Sequence, residues 1–128
     1  MNKPRPFFYY IRDNDGHPRV TVCLVSDGVV HARGLSFCSP RDVLSKKEGR
    51  RLALARARKA YGTKTTGEPI GRDETLTVIQ KVTNSVTGRM VAENQPELYF
   101  YQNKRVFYPA LIPYEAQMIN KAFDRAGA

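Results

Sequence analysis

Seven basic side chains crowd into residues 46–59: Lys46, Lys47, Arg50, Arg51, Arg56, Arg58 and Lys59, with Glu48 the only acid among them. Ammonium and guanidinium groups donate hydrogen bonds and accept none, so the chemistry open to such a run is neutralisation of phosphate or carboxylate charge. Two features separate it from an ordinary solvated helix face. The opposite-charge i, i+4 pairs that lace surface helices are nearly absent. Lys46 and Lys47 also fall in the first turn of the expected helix, where the macrodipole disfavours cations. A cluster set against its local electrostatics calls for a compensating anion, and phosphate suits that role.

The remaining residues offer little other chemistry. His17 and His31 are few for general acid–base work. Asp13, Asp15, Asp27 and Asp42 fall at turns and caps, where short carboxylates bond backbone amides. Asp13-Asn14-Asp15-Gly16 opens like a calcium loop but lacks the oxygen ligands that should follow. There is no phosphate-cradling glycine motif, no zinc-protease helix and no nucleophile elbow. The expectation is a non-enzymatic chain with no catalytic residues, no metal and no cofactor. The candidate nucleic-acid contacts are Lys46, Lys47, Arg50, Arg51 and Arg58, with Arg33 on a strand ahead of them.

The 128 residues carry a formal net charge of +9, and the surplus is local. Residues 1–62 hold 13 Lys/Arg against 5 Asp/Glu, whereas residues 63–128 hold 8 against 7. The length fits one domain. With 41% apolar residues the chain can build a core, and no apolar run approaches the ~20 residues of a membrane span. A basic N-terminus without a signal-type apolar stretch leads to the expectation of a soluble cytoplasmic protein with no membrane partner.

The elements that must position the basic run are legible from pattern. Residues 7–11, 19–25 and 29–37 are aromatic or β-branched and are separated by Asp/Asn/Gly turns, which predicts an antiparallel meander. Asp27-Gly28 reads as a two-residue hairpin loop. That register sets Cys23 opposite Ala32 and Cys38 opposite His17, too far apart for a disulfide, so two free thiols are expected. Ser39-Pro40-Arg41-Asp42 and Ser45-Lys46-Lys47-Glu48 are successive capping boxes. The main helix is predicted over residues 46–61, closed by Gly62. Gly49, Ala53, Ala57 and Ala60 form one narrow stripe along it, small enough for close approach to a sheet, with Lys46, Lys47, Arg50, Arg51 and Arg58 on the flank beside it.

Residues 63–74 read as a linker or loop. Residues 75–82 suit either a strand or a helix starting at Asp73, with Thr, Val and Ile favouring strand. Residues 84–88 would turn the chain and 89–92 could pair back. A hairpin is expected between 98–101 and 105–108, and Pro113 starts a last helix with Tyr114, Met118 and Ala122 as packing positions and Ile119 and Phe123 on its shoulder. The fold class is thus α+β. A meander and a basic helix packed on the sheet are followed by an aromatic hairpin and C-terminal helix, all in one domain (1–62, 63–74 and 75–128). Tyr99, Phe100, Tyr101, Phe107, Tyr108 and Tyr114 suit a core face, a base-stacking platform or a protein interface.

The stretch from Gly16-His17-Pro18 through two strands and Gly34 to Ser45-Lys46-Lys47-Glu48-Gly49-Arg50-Arg51-Leu52-Ala53 resembles the double-stranded RNA-binding domain over residues 16–60. The family's first helix has no counterpart here, and residues 38–44 are an insertion. The resemblance implies phosphate contacts from Lys46, Lys47 and Arg50, a loop contact from His17, and structured RNA as partner, read by shape. The turn Cys38-Ser39-Pro40-Arg41-Asp42 and residues 109–115 also resemble small phage and mobile-element proteins, some of which inhibit host defence, anti-CRISPR proteins among them. That resemblance implies a ribonucleoprotein as the alternative partner and the host cytoplasm as the place of action.

Overall fold

In the computed structural model, which describes residues 3–13, 18–37, 45–67, 82–84 and 103–123, three long strands open the chain. They are β1 (Arg5–Asp13), β2 (Pro18–Ser26) and β3 (His31–Phe37), paired antiparallel in sequence order. Helix α1 (Lys46–Thr63), strands β4 (Val82–Asn84) and β5 (Arg105–Phe107), and helix α2 (Pro113–Ala122) follow. The sheet has five strands in the order β4-β1-β2-β3-β5, antiparallel at every pairing. The fold is α+β with a helix packed on the sheet.

Alternation along the strands sorts the core into two layers. On one face Cys23 and Val25 meet Ala53 and Ala57 of α1, with Phe8, Leu54 and Tyr61 around them. On the other, Tyr9, Ile11, Val20, Val22 and Leu35 meet Ile112, Tyr114 and Met118 at α2. The sheet is therefore covered by a helix on each side, and residues 20–26 of central β2 are all buried. The small stripe of α1 does what its sequence predicts. Ala53, Ala57 and Ala60 are fully buried, and Gly34 of β3 lies beneath Ala53 and Ala57.

The β2–β3 register corrects the expected two-residue loop. Ser26 pairs with His31, leaving residues 27–30 as a four-residue connection, so Cys23 faces Gly34 rather than Ala32. The cause is Asp27, whose Oδ1 accepts hydrogen bonds from the Val29 and Val30 amides at 2.8 and 2.7 Å. Its Oδ2 accepts from the Tyr61 hydroxyl at 2.8 Å, tying the loop to α1. Gly28 takes a φ of +97°, which a side chain would strain. Burial pushes the Asp27 carboxyl up, but the Val30, Val29 and Tyr61 hydrogen bonds and the His31 ring outweigh it and hold it below its ordinary value.

Three further expectations are refined. Helix α1 runs past Gly62, because the Thr63 hydroxyl donates to the Lys59 carbonyl at 2.7 Å and the Lys64 amide to that of Ala60 at 2.8 Å. Lys64, at φ 55°, takes the left-handed capping position assigned to Gly62. Residues 105–107 pair with β3, Gly34 opposite Arg105, covering an edge that would otherwise stand open. Residues 98–101, their expected hairpin partner, lie outside the described residues. So do residues 75–81, though Val82–Asn84 is a strand on β1. In α2 the deepest side chains are Glu115 and Ile119, because Glu115 turns inward to meet Arg33.

Cys23 is a free, buried thiol, and Cys38 lies outside the described residues. Burial pushes the Cys23 thiol up from 9.0 to about 12, against smaller opposing effects of Arg58 and the Phe7 backbone. A group raised on folding stabilises below its unfolded value and loses that contribution as pH rises toward the folded one. Urea unfolding should therefore show stability falling between pH 9 and 12, by up to about 1.4 kcal/mol per pH unit from this group. Cys23→Ala should lack that component while keeping the titrations of lysine and tyrosine. Parallel pH profiles for the two proteins would rule the assignment out.

Candidate nucleic-acid interface

Helix α1 begins at Ser45, whose hydroxyl accepts from the Glu48 amide at 3.2 Å and satisfies one of the free amides of the first turn. With the alanine seam turned to the sheet, helical geometry fixes where every other side chain must point. Lys46, Lys47, Arg50, Arg51 and Arg58 share the flank on the β1 side, and all five are exposed. The Arg50 guanidinium donates to the Tyr10 hydroxyl at 3.3 Å, and the Lys46 ammonium lies 5.3 Å from the centre of the Tyr10 ring. Tyr10 of β1 thus steadies two cations at the start of the flank. Sequence reasoning placed Tyr10 in a strand and missed this role. The strand alternation that turns Phe8 toward α1 also turns Tyr10 that way, and that was the available signal.

Arg51 is held by Glu48 through a bidentate exposed ion pair. The Arg51 hydrogen bond and charge hold the Glu48 carboxyl below its usual value. A solvent-exposed pair of this kind is weak and exchanges readily for another anion. Among the described residues, no hydrogen bond or ion pair restrains Lys47 or Arg58. The flank therefore presents five cations with one weakly engaged acid.

Arg33 is corrected. It is 3% exposed and lies on the sheet face covered by α2, where its guanidinium forks onto the Glu115 carboxylate and donates to the Ala110 carbonyl at 2.9 Å. A side chain so enclosed holds the fold together and does not reach an external phosphate. Its place on a strand ahead of the basic helix does not reveal that a second helix covers that face of the sheet. His17 lies outside the described residues.

Arg56 and Lys59 project to the opposite flank of α1, toward β3 and β5. Arg56 is half-buried and donates to the Leu35 carbonyl at 2.7 Å. Among the described residues, no three His, Cys, Asp or Glu side chains converge as a metal site would require, and no helix is long and apolar enough to cross a membrane. Comparison with known protein families, curated proteins and solved structures finds no match.

Proposed function

We propose that the chain binds nucleic acid, with structured RNA the favoured form, by laying the Lys46–Lys47–Arg50–Arg51–Arg58 flank of α1 along the phosphates. The observation that carries this reading is five exposed cations on one helix flank, two of them in the first turn. There the aligned amides already favour an anion. The order of strands followed by a basic helix, with that helix docked on the sheet, supports RNA as the form. Binding of this kind is dominated by phosphate charge, weakly specific in sequence, and steeply dependent on salt.

The test is equilibrium binding of duplex RNA, duplex DNA and single strands across a salt series. A Lys46→Ala, Lys47→Ala, Arg50→Ala, Arg51→Ala variant should lose at least about tenfold in affinity for each ligand, and its log K against log salt slope should flatten by roughly 3. The four side chains are exposed, so each replacement should change stability by no more than about 0.5 kcal/mol and the variant should stay folded. Unchanged affinity for duplex RNA in a folded variant overturns the assignment.

A further inference from the structure

A second group of cations closes around a cleft of about 190 Å³ on the other side of α1. Arg56 and Lys59 line it from the helix, Lys104 from just ahead of β5 and Arg105 from the first position of that strand. Among the described residues, no acid contributes to the lining. The backbone beneath is well anchored. The Lys104 carbonyl accepts from the Leu35 amide at 2.7 Å, and the Arg105 carbonyl accepts from the Gly67 amide at 2.8 Å. The Arg105 stem lies across Gly67 so closely that a Cβ at that position would collide with it. Gly67 is thus what allows Arg105 to occupy the cleft wall.

The Arg105 Nε is buried, and among the described residues no acceptor reaches it. A buried guanidinium donor is ordinarily satisfied, and no described residue satisfies this one, which marks the Arg105 wall of the cleft as short of an acceptor. Four cations around a small concave space repel one another until an anion enters. Arginine forks match phosphate oxygens, and lysines add point charge. The cleft is smaller than the ~300–1,000 Å³ usual for whole ligands, so it holds a phosphate group and leaves the rest of the molecule outside. An internal phosphodiester would have to bring a sugar on each side, which favours an end group.

We propose that Arg56, Lys59, Lys104 and Arg105 form a binding site for a phosphomonoester dianion, separate from the outer flank of α1. The same chemistry is carried by the phosphorylated end of a nucleic-acid strand and by free phosphate, and the experiment separates the two.

The full chain is titrated with inorganic phosphate against chloride at matched ionic strength, by calorimetry and by thermal midpoint. Phosphate should bind saturably and raise the midpoint, and binding should tighten from pH 6 to 8 as inorganic phosphate, whose second ionisation lies about one unit above the ~6 of a phosphomonoester, takes its second charge. Lys59→Gln with Lys104→Gln should weaken phosphate at least about tenfold, in line with the loss of charge-assisted contacts. Gly67→Ala should weaken it too, with no charge removed, because the new methyl displaces Arg105. The Lys46, Lys47, Arg50, Arg51 alanine variant should bind phosphate as the parent does, whatever becomes of its nucleic-acid affinity.

Matched duplex RNAs with 5′-phosphate or 5′-hydroxyl ends then identify the source. A preference for the phosphorylated end that vanishes in the lysine variant makes the ligand a strand terminus, and equal affinity with phosphate binding intact makes it free phosphate. Phosphate no better than chloride, or binding unchanged in a folded Lys59→Gln, Lys104→Gln variant, overturns the proposal.

Discussion

Replacing Glu115 by alanine should destabilise the protein by about 3–5 kcal/mol, because it leaves the buried Arg33 cation without its counter-charge. Glu115 is fully enclosed and every bond it makes is internal. Its Oε2 accepts from the Tyr9 hydroxyl at 3.1 Å and from Arg33 Nε at 3.0 Å. Its Oε1 accepts from Arg33 Nη2 and from the Ile112 amide at 3.1 Å, the last closing the first turn of α2. One carboxylate therefore ties β1, β3 and α2 together. Domains of this size hold about 5–15 kcal/mol in all, so the loss is a large share of the total. Urea denaturation should show a much lower midpoint with an unchanged slope.

The double substitution Arg33→Met, Glu115→Leu should recover part of the loss, since it removes the unpaired buried charge but leaves the Tyr9 hydroxyl and the Ile112 amide without their acceptor. Should Glu115→Ala unfold within 1 kcal/mol of the parent, the pair does not anchor α2.

Gly34→Ala should cost about 3 kcal/mol, the upper part of the range for overpacking. Its added methyl would meet the Ala53 carbonyl oxygen and the Ala57 amide nitrogen, which are backbone atoms that no rotamer change can move. The helix must lift off the sheet along the seam where Ala53, Ala57 and Ala60 are fully buried. Cys23, packed in that same layer, should then react with thiol reagents faster than in the parent. Gly62→Ala is the contrasting control. Nothing lies within 4 Å of the new methyl in an exposed helical position, so it should stabilise by about 0.5–1 kcal/mol. A Gly34→Ala protein as stable as the parent would mean that α1 has room to shift, and the position of its basic flank would not depend on this contact.

The outer flank of α1 was readable before any tertiary contact was known. Lys46, Lys47, Arg50, Arg51 and Arg58 share it because helical periodicity and a small-residue seam are local properties of one segment. The phosphate cleft was not readable, because Lys104 and Arg105 reach Arg56 and Lys59 only through the pairing of β5 with β3. Arg33 shows the opposite failure. Its charge suggested a surface role, and a partner 82 residues away took it into the core.

Local pattern is enough for the elements: strands from β-branched alternation, α1 from its Ser45 cap and alanine stripe, and a charge surplus held almost wholly in the first half. Each depends on interactions within a few residues, which a linear pattern records. Long-range packing set the register of β2 on β3, the burial of Arg33 with Glu115, and the closing of four cations around one cleft. Those outcomes depend on which distant surfaces exclude water together, and in an open chain the residues concerned are strangers to one another.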